Sequence, residues 1–174
     1  MNFAKTFKIV IAGDGGVGKT SLTNKYITGI FNESTQITIG VEFFIKDLII
    51  ENVGTVRLQI WDFGGEERFR FLLPSYMRGT QGVLFLYSIV DPITLMHFDD
   101  WLPILRTFDQ NISIILVGAK ADLSHMRKVS TSEAINFAKS RKCIGFVEVS
   151  AKTGQNIEEV FETLTKIMIK NSKK

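Results

Sequence analysis

The stretch Gly13-Asp14-Gly15-Gly16-Val17-Gly18-Lys19-Thr20 constrains this chain more than any other. It lies between an apolar run, Phe7–Ala12, and a helix-forming segment that begins near Gly18. The pattern is G-x-x-x-x-G-K-[ST], a P-loop. Its glycines let successive backbone N–H groups wrap a phosphate chain without Cβ clashes, and the helix that follows points the positive end of its dipole at the same phosphates. Lys19 adds a mobile charge for the β- and γ-phosphates. Thr20 offers a hydroxyl to Mg²⁺, which takes near-octahedral oxygen ligands. A glycine-rich turn that binds nothing is the competing reading, and the intact pattern in a strand–loop–helix context weighs against it. The cradle alone leaves kinases, ATPases and GTPases open.

At 174 residues the chain is expected to form one domain, 1–174, with residues 170–174 as a basic tail. It is 45% hydrophobic and 22% charged, with no apolar run approaching the roughly 18 residues of a membrane span. The net charge of +3 is mild and concentrates in Lys170, Lys173 and Lys174, a solvated tail rather than a nucleic-acid face. One cysteine, Cys143, cannot form an internal disulfide, and Met1–Lys5 shows no signal peptide, so a reducing, cytoplasmic location is expected. Asn2 excludes N-myristoylation, and Asn171–Lys174 offers no prenylatable cysteine.

Runs at Phe7–Ala12, Val83–Tyr87, Ile112–Val117 and Phe146–Val149 are apolar on both parities, the pattern of parallel strands buried on two faces, and are expected at the sheet centre. Val41–Ile50 and Thr55–Trp61, joined by Glu51–Gly54, predict an antiparallel hairpin at one edge. Helical periodicity marks Thr94–Phe108, where Pro103 should kink the helix or mark where it reforms, then Thr131–Arg141, and a last helix with Ile157, Val160, Phe161, Leu164, Ile167 and Met168 on one face. Asn156 is its expected N-cap. The fold class is therefore α/β: a six-stranded, mostly parallel sheet with one antiparallel edge strand, helices on both faces, and ligands at the carboxyl ends of the strands.

The strand ends carry the remaining chemistry. Asp62, closing a strand before Phe63-Gly64-Gly65-Glu66, is placed to hold Mg²⁺ through water, while Gly65 lets the backbone approach a γ-phosphate and donate an N–H. Further on come Ala119-Lys120-Ala121-Asp122 and Ser150-Ala151-Lys152. The Asp122 carboxylate can accept both the N1–H and the 2-amino group of guanine, and adenine offers neither donor. Lys120 and Lys152 can lie along the two purine faces, and the Ala151 N–H can donate to the guanine oxygen.

Through these residues, together with Thr38–Phe43, Leu58–Asp62, Glu67–Arg70 and Tyr76–Gly79, the chain resembles the Ras-like small GTPases from end to end, and the Rab branch most closely. The resemblance implies a Mg²⁺-dependent switch that binds GTP or GDP and hydrolyses GTP. It places Phe31 edge-on against guanine and Thr38 on Mg²⁺ when GTP is bound. It makes 31–39 and 64–76 the two switch segments that meet exchange factors, activating proteins and effectors. The nucleotide-binding set is then Asp14, Gly15, Gly16, Val17, Gly18, Lys19, Thr20, Ser21, Phe31, Thr38, Gly65, Lys120, Asp122, Leu123, Ser150, Ala151 and Lys152. The metal set is Thr20, Thr38 and Asp62; the catalytic set is Glu66, Lys19, Thr38 and Gly65.

The chain departs from the family at several positions. Glu66 stands where a glutamine usually orients the attacking water; a carboxylate can accept from that water but lacks the amide donor. Ala119 replaces the asparagine of N-K-x-D, losing a hydrogen bond to the base and a tie to the P-loop. Phe63 and Gly64 replace the more usual threonine and alanine, and the Rab-typical C-terminal cysteines are missing. A GTP-binding interaction module with little hydrolysis is the alternative function that Glu66 raises. A P-loop kinase leaves Asp122 and Ser150–Lys152 unexplained. His97 and His125 lack partners at metal spacing and read as ordinary helix or loop residues, and Cys143 as a semi-buried one. Phe69, Phe71, Tyr76 and Met77 read equally as core or as a partner surface.

Overall fold

The computed structural model describes residues 4–34 and 36–173. Residues 1–3, on which the expectations about a signal peptide and N-myristoylation bear, Thr35 within the 31–39 segment, and Lys174 in the basic tail lie outside the described residues.

The strands are β1 (Lys5–Ala12), β2 (Val41–Ile50), β3 (Gly54–Phe63), β4 (Gly82–Ser88), β5 (Ser113–Ala119) and β6 (Gly145–Glu148). They form one sheet in the order β2-β3-β1-β4-β5-β6, antiparallel between β2 and β3 and parallel elsewhere. The helices are α1 (Lys19–Thr28), α2 (Leu73–Tyr76), α3 (Pro92–Met96), α4 (Phe98–Leu105), α5 (Thr131–Ser140) and α6 (Ile157–Asn171), with 3₁₀ turns at Glu67–Leu72 and Ala121–Met126.

Strand alternation divides the core in two. Phe7, Ile9 and Ile11 of β1, Leu84 and Leu86 of β4, and Ile115 and Val117 of β5 meet Leu22 and Tyr26 of α1 and Val160, Phe161, Leu164 and Met168 of α6. The intervening residues, Val10, Val83, Phe85, Tyr87, Ile114 and Leu116, meet Phe98, Trp101, Ala134 and Ala138 on the other face. The rings of Tyr26 and Phe161 stack at 3.8 Å and close the first layer.

Three expectations need correction. The run Phe146–Val149 does not lie at the sheet centre: β6 is an edge strand with all four residues half-buried. Its apolar residues pack on one neighbour, β5, while Glu148 binds Arg127 through two contacts of 2.7 Å and gives the edge a charged border. The segment 94–108 breaks at His97, between α3 and α4, and Pro103 sits inside α4. Buried Phe98, Trp101 and Leu105 span the proline, so packing holds the turn that the missing N–H weakens. Asn156 does occupy the N-cap position of α6, yet its side chain donates to the Glu148 carbonyl at 2.8 Å and caps nothing.

Candidate nucleotide and metal site

β1 delivers Gly13 to the top of the sheet at φ 137°, where a Cβ would sit 2.2 Å from the Leu86 carbonyl oxygen. Only glycine allows that crossing over β4. The loop then turns into α1, whose N-terminus opens on a cavity of about 410 Å³. P-loop residues Gly15–Ser21 line its floor, and Phe31 and Thr38 come from the segment between α1 and β2. Gly65 enters from the end of β3, and Lys120, Asp122, Leu123, Ala151 and Lys152 from the loops after β5 and β6. Residues that the sequence scatters over the whole chain thus share one concavity at the carboxyl ends of the strands.

At one end, Lys19 is almost fully buried, and its Nζ donates to the Asp14 carbonyl at 2.7 Å. Burial pulls its pKa down to about 8, against the raising influence of Asp62 and Asp14. Thr20 Oγ1 lies 2.6 Å from Thr38 Oγ1 and donates to Asp62 Oδ2 at 2.6 Å. Asp62 is fully buried, with Oδ1 unpartnered among the described residues. Desolvation lifts its pKa to about 6, opposed by the Thr20 hydrogen bond and the Lys19 charge. Two hydroxyls and a carboxylate with a spare buried oxygen are the hard donor set that Mg²⁺ prefers. No group of three or more His, Cys, Asp and Glu that could hold a metal ion occurs among the described residues.

At the other end, Ser150 is fully buried beneath the cavity and donates from Oγ to Asp122 Oδ1 at 2.7 Å. The Ser150 hydroxyl also accepts from the Thr153 N–H at 3.1 Å, and the Ala121 N–H bonds the Val149 carbonyl at 3.0 Å, so the two loops are one rigid unit. Lys120 holds φ at 66°, a left-handed conformation that turns the chain sharply after β5. Lys152 Nζ reaches Glu33 across the mouth at 3.3 Å.

Four candidate residues stay out of the cavity lining: the buried Asp62 and Ser150 described above, and Asp14 and Glu66. Glu66 accepts at Oε2 from Arg68 Nε at 2.5 Å, and the Asp14 carboxylate faces Arg70, His97 and Trp101 behind the loop. Those three partners were missed: they stand 56, 83 and 87 positions away, and no local pattern links them. The aromatic group after Gly65 divides, with Met77 buried, Tyr76 half-buried against Trp61 at 5.6 Å, and Phe71 76% exposed.

The six-stranded sheet and its phosphate-cradling loop define a nucleotide-binding P-loop protein. A sequence model of the Ras family matches residues 8–170. The Ras-related protein rab-11.1 of Caenorhabditis elegans is 42% identical over 159 residues, covering 91% of this chain and 74% of that protein. The chain belongs to the Ras family and stands close to its Rab branch. It is accordingly a GTPase, a switch protein that binds and hydrolyses GTP, and the non-hydrolysing interaction module is not favoured.

Proposed function

We propose that the chain works as a single domain over 1–174 with a basic tail at 170–174, holding GTP or GDP in the cavity between the P-loop and the 119–122 and 150–152 loops. The observation that carries this reading is the convergence of Lys19, Thr20, Thr38, Gly65 and Asp122 on one concavity. Asp122, oriented by Ser150, would accept the two guanine donors, with Lys120 and Lys152 along the purine faces and Phe31 at its edge. Backbone N–H groups of 15–20 and the Lys19 ammonium would hold the phosphates.

Mg²⁺ fits the hydroxyls of Thr20 and Thr38 and the Asp62 carboxylate, and when bound it supplies positive charge to the β- and γ-phosphate oxygens. In the reaction, a water oxygen forms a bond to the γ-phosphorus as the bond from that phosphorus to the β–γ bridging oxygen breaks, leaving GDP and inorganic phosphate. Lys19 and the Gly65 N–H face the charge that develops. Glu66 accepts a hydrogen bond from the water once it turns from Arg68 toward the cavity.

Segments 31–39 and 64–76 would report the nucleotide state to regulators and effectors, with exposed Ile37, Ile39 and Phe71 available to them. No helix among the described residues is long and apolar enough to cross a membrane. The chain would work in the cytoplasm, with peripheral membrane contact made through partners or a further tail.

Competition of GDP, GTP, ADP and ATP against a fluorescent guanine nucleotide, with and without EDTA, tests the site. Guanine nucleotides should displace the probe and EDTA should speed GDP release. ADP competing as well as GDP would refute the base assignment, and release indifferent to EDTA the metal assignment.

A further inference from the structure

Asp14 is a P-loop residue that does not line the cavity. Three N–H donors from three other places converge on it. Arg70 Nη2 at 2.9 Å and Trp101 Nε1 at 3.0 Å meet Oδ1, and His97 Nδ1 at 2.5 Å meets Oδ2. The side chains of Asp14 and Arg70 are only 11% and 16% exposed, and Trp101 is fully buried. The Arg70 guanidinium also lies 4.7 Å from the centre of the Trp101 ring.

Arg70 belongs to the turn Glu67–Leu72, none of whose residues is buried, so apolar packing does little to hold this arm. Its other anchor is Gly65, whose backbone rests on the P-loop so closely that a Cβ would sit 2.1 Å from the Gly15 nitrogen. The arm is therefore pinned twice to the same loop, by Gly65 on the backbone of 14–15 and by Arg70 on the Asp14 side chain. Glu66 lies between the two pins.

We propose that Asp14, Arg70, His97 and Trp101 form a latch that fixes the 65–70 arm for GTP cleavage. Arg70 and His97 are positioning residues: they act through Asp14 on Gly65 and Glu66 and touch no part of the nucleotide. His97 ties the junction of α3 and α4 into the same carboxylate, so a displacement of that junction loosens the arm without altering any residue of the cavity. The inference rests on the reading of Gly65 and Glu66 given above.

The test uses the full chain with Arg70→Ala, His97→Phe and His97→Asn. Single-turnover GTP cleavage is measured beside the affinities for GDP and for a non-hydrolysable GTP analogue. GDP bears no γ-phosphate for the arm to meet, so damage to the fold lowers both affinities and loss of the latch lowers one. Arg70→Ala should slow cleavage about tenfold or more and weaken the analogue while GDP affinity stays within about twofold. His97→Phe should do the same in smaller measure, and His97→Asn, whose amide can donate to the same carboxylate, should restore the wild-type values. Parallel losses of GDP and analogue affinity, or no rescue by asparagine, would overturn the latch. If Glu66→Ala slows cleavage while Arg70→Ala changes nothing, the latch fails and the site reading stands. If Glu66→Ala is silent while Arg70→Ala still weakens the analogue alone, the latch stands and acts through Gly65.

Discussion

Gly64 lies against Thr38 so closely that a Cβ on the glycine would sit 2.5 Å from the Thr38 carbonyl oxygen and 2.8 Å from that of Gly40. The Gly64 N–H also donates to the Gly40 carbonyl at 2.7 Å. The two segments that flank the cavity are thus joined backbone to backbone, through a residue that stands where the family more usually has alanine. Gly64→Ala should push the segment around Thr38 outward, at a cost of about 1–3 kcal/mol. It should weaken a GTP analogue more than GDP in a competition assay. An unchanged ratio of the two affinities would mean that the contact is not kept with nucleotide bound.

Glu66 is paired with Arg68, and in the role proposed for it the carboxylate must first leave that partner. Glu66→Gln keeps an acceptor for water, adds an amide donor and takes the charge out of the tie to Arg68, so single-turnover cleavage should rise, tenfold for each ~1.4 kcal/mol taken from the barrier. A fall in rate, deepened in Glu66→Ala, would instead identify the carboxylate itself as the working group.

The Ser150–Asp122 bond makes base recognition depend on a buried hydroxyl. Ser150→Ala should cost about 1 kcal/mol in GDP affinity, since it frees the carboxylate and leaves the Thr153 N–H without its acceptor. Asp122→Asn should shift preference toward xanthine nucleotides, whose 2-oxo group accepts from the new amide. Competition of XDP with GDP checks both.

Burial pushes the Cys143 thiol up to about 11, although Arg106 and Arg141 oppose the shift. The folded protein holds this proton more tightly than the unfolded chain, whose thiol titrates near 9. Its contribution to stability is therefore full below about 9 and is lost as pH rises toward 11. Thiol labelling at pH 8 should be slow in the native protein and fast after denaturation.

What could be read from the sequence was what short stretches encode. The P-loop, the strand-end Asp62 and Asp122, and the face of α6 from Ile157 to Met168 each announce themselves within a few residues. The Asp14 cluster did not, because Arg70, His97 and Trp101 become neighbours only when β1, the Glu67–Leu72 turn and α4 are assembled. His97, dismissed for want of metal-binding company, finds a carboxylate instead. Pro103 misled for a related reason: its local cost is outweighed by Phe98, Trp101 and Leu105, whose burial no window around the proline reveals. The effect of Gly64 was likewise hidden, since the atoms that exclude a side chain there belong to Thr38 and Gly40.

The crossing of Gly13 over Leu86 bears on how fast and how tightly a ligand is captured. Because a neighbouring strand, and not a phosphate, dictates that turn, the cradle's shape is set when the sheet forms. Little conformational entropy then remains to be surrendered by the loop on ligand arrival. The γ-phosphate is left to the segments around Thr38 and Gly65, so capture of the β-phosphate should be quick and nearly rigid, while discrimination of the γ-phosphate should be open to control by whatever holds those two segments.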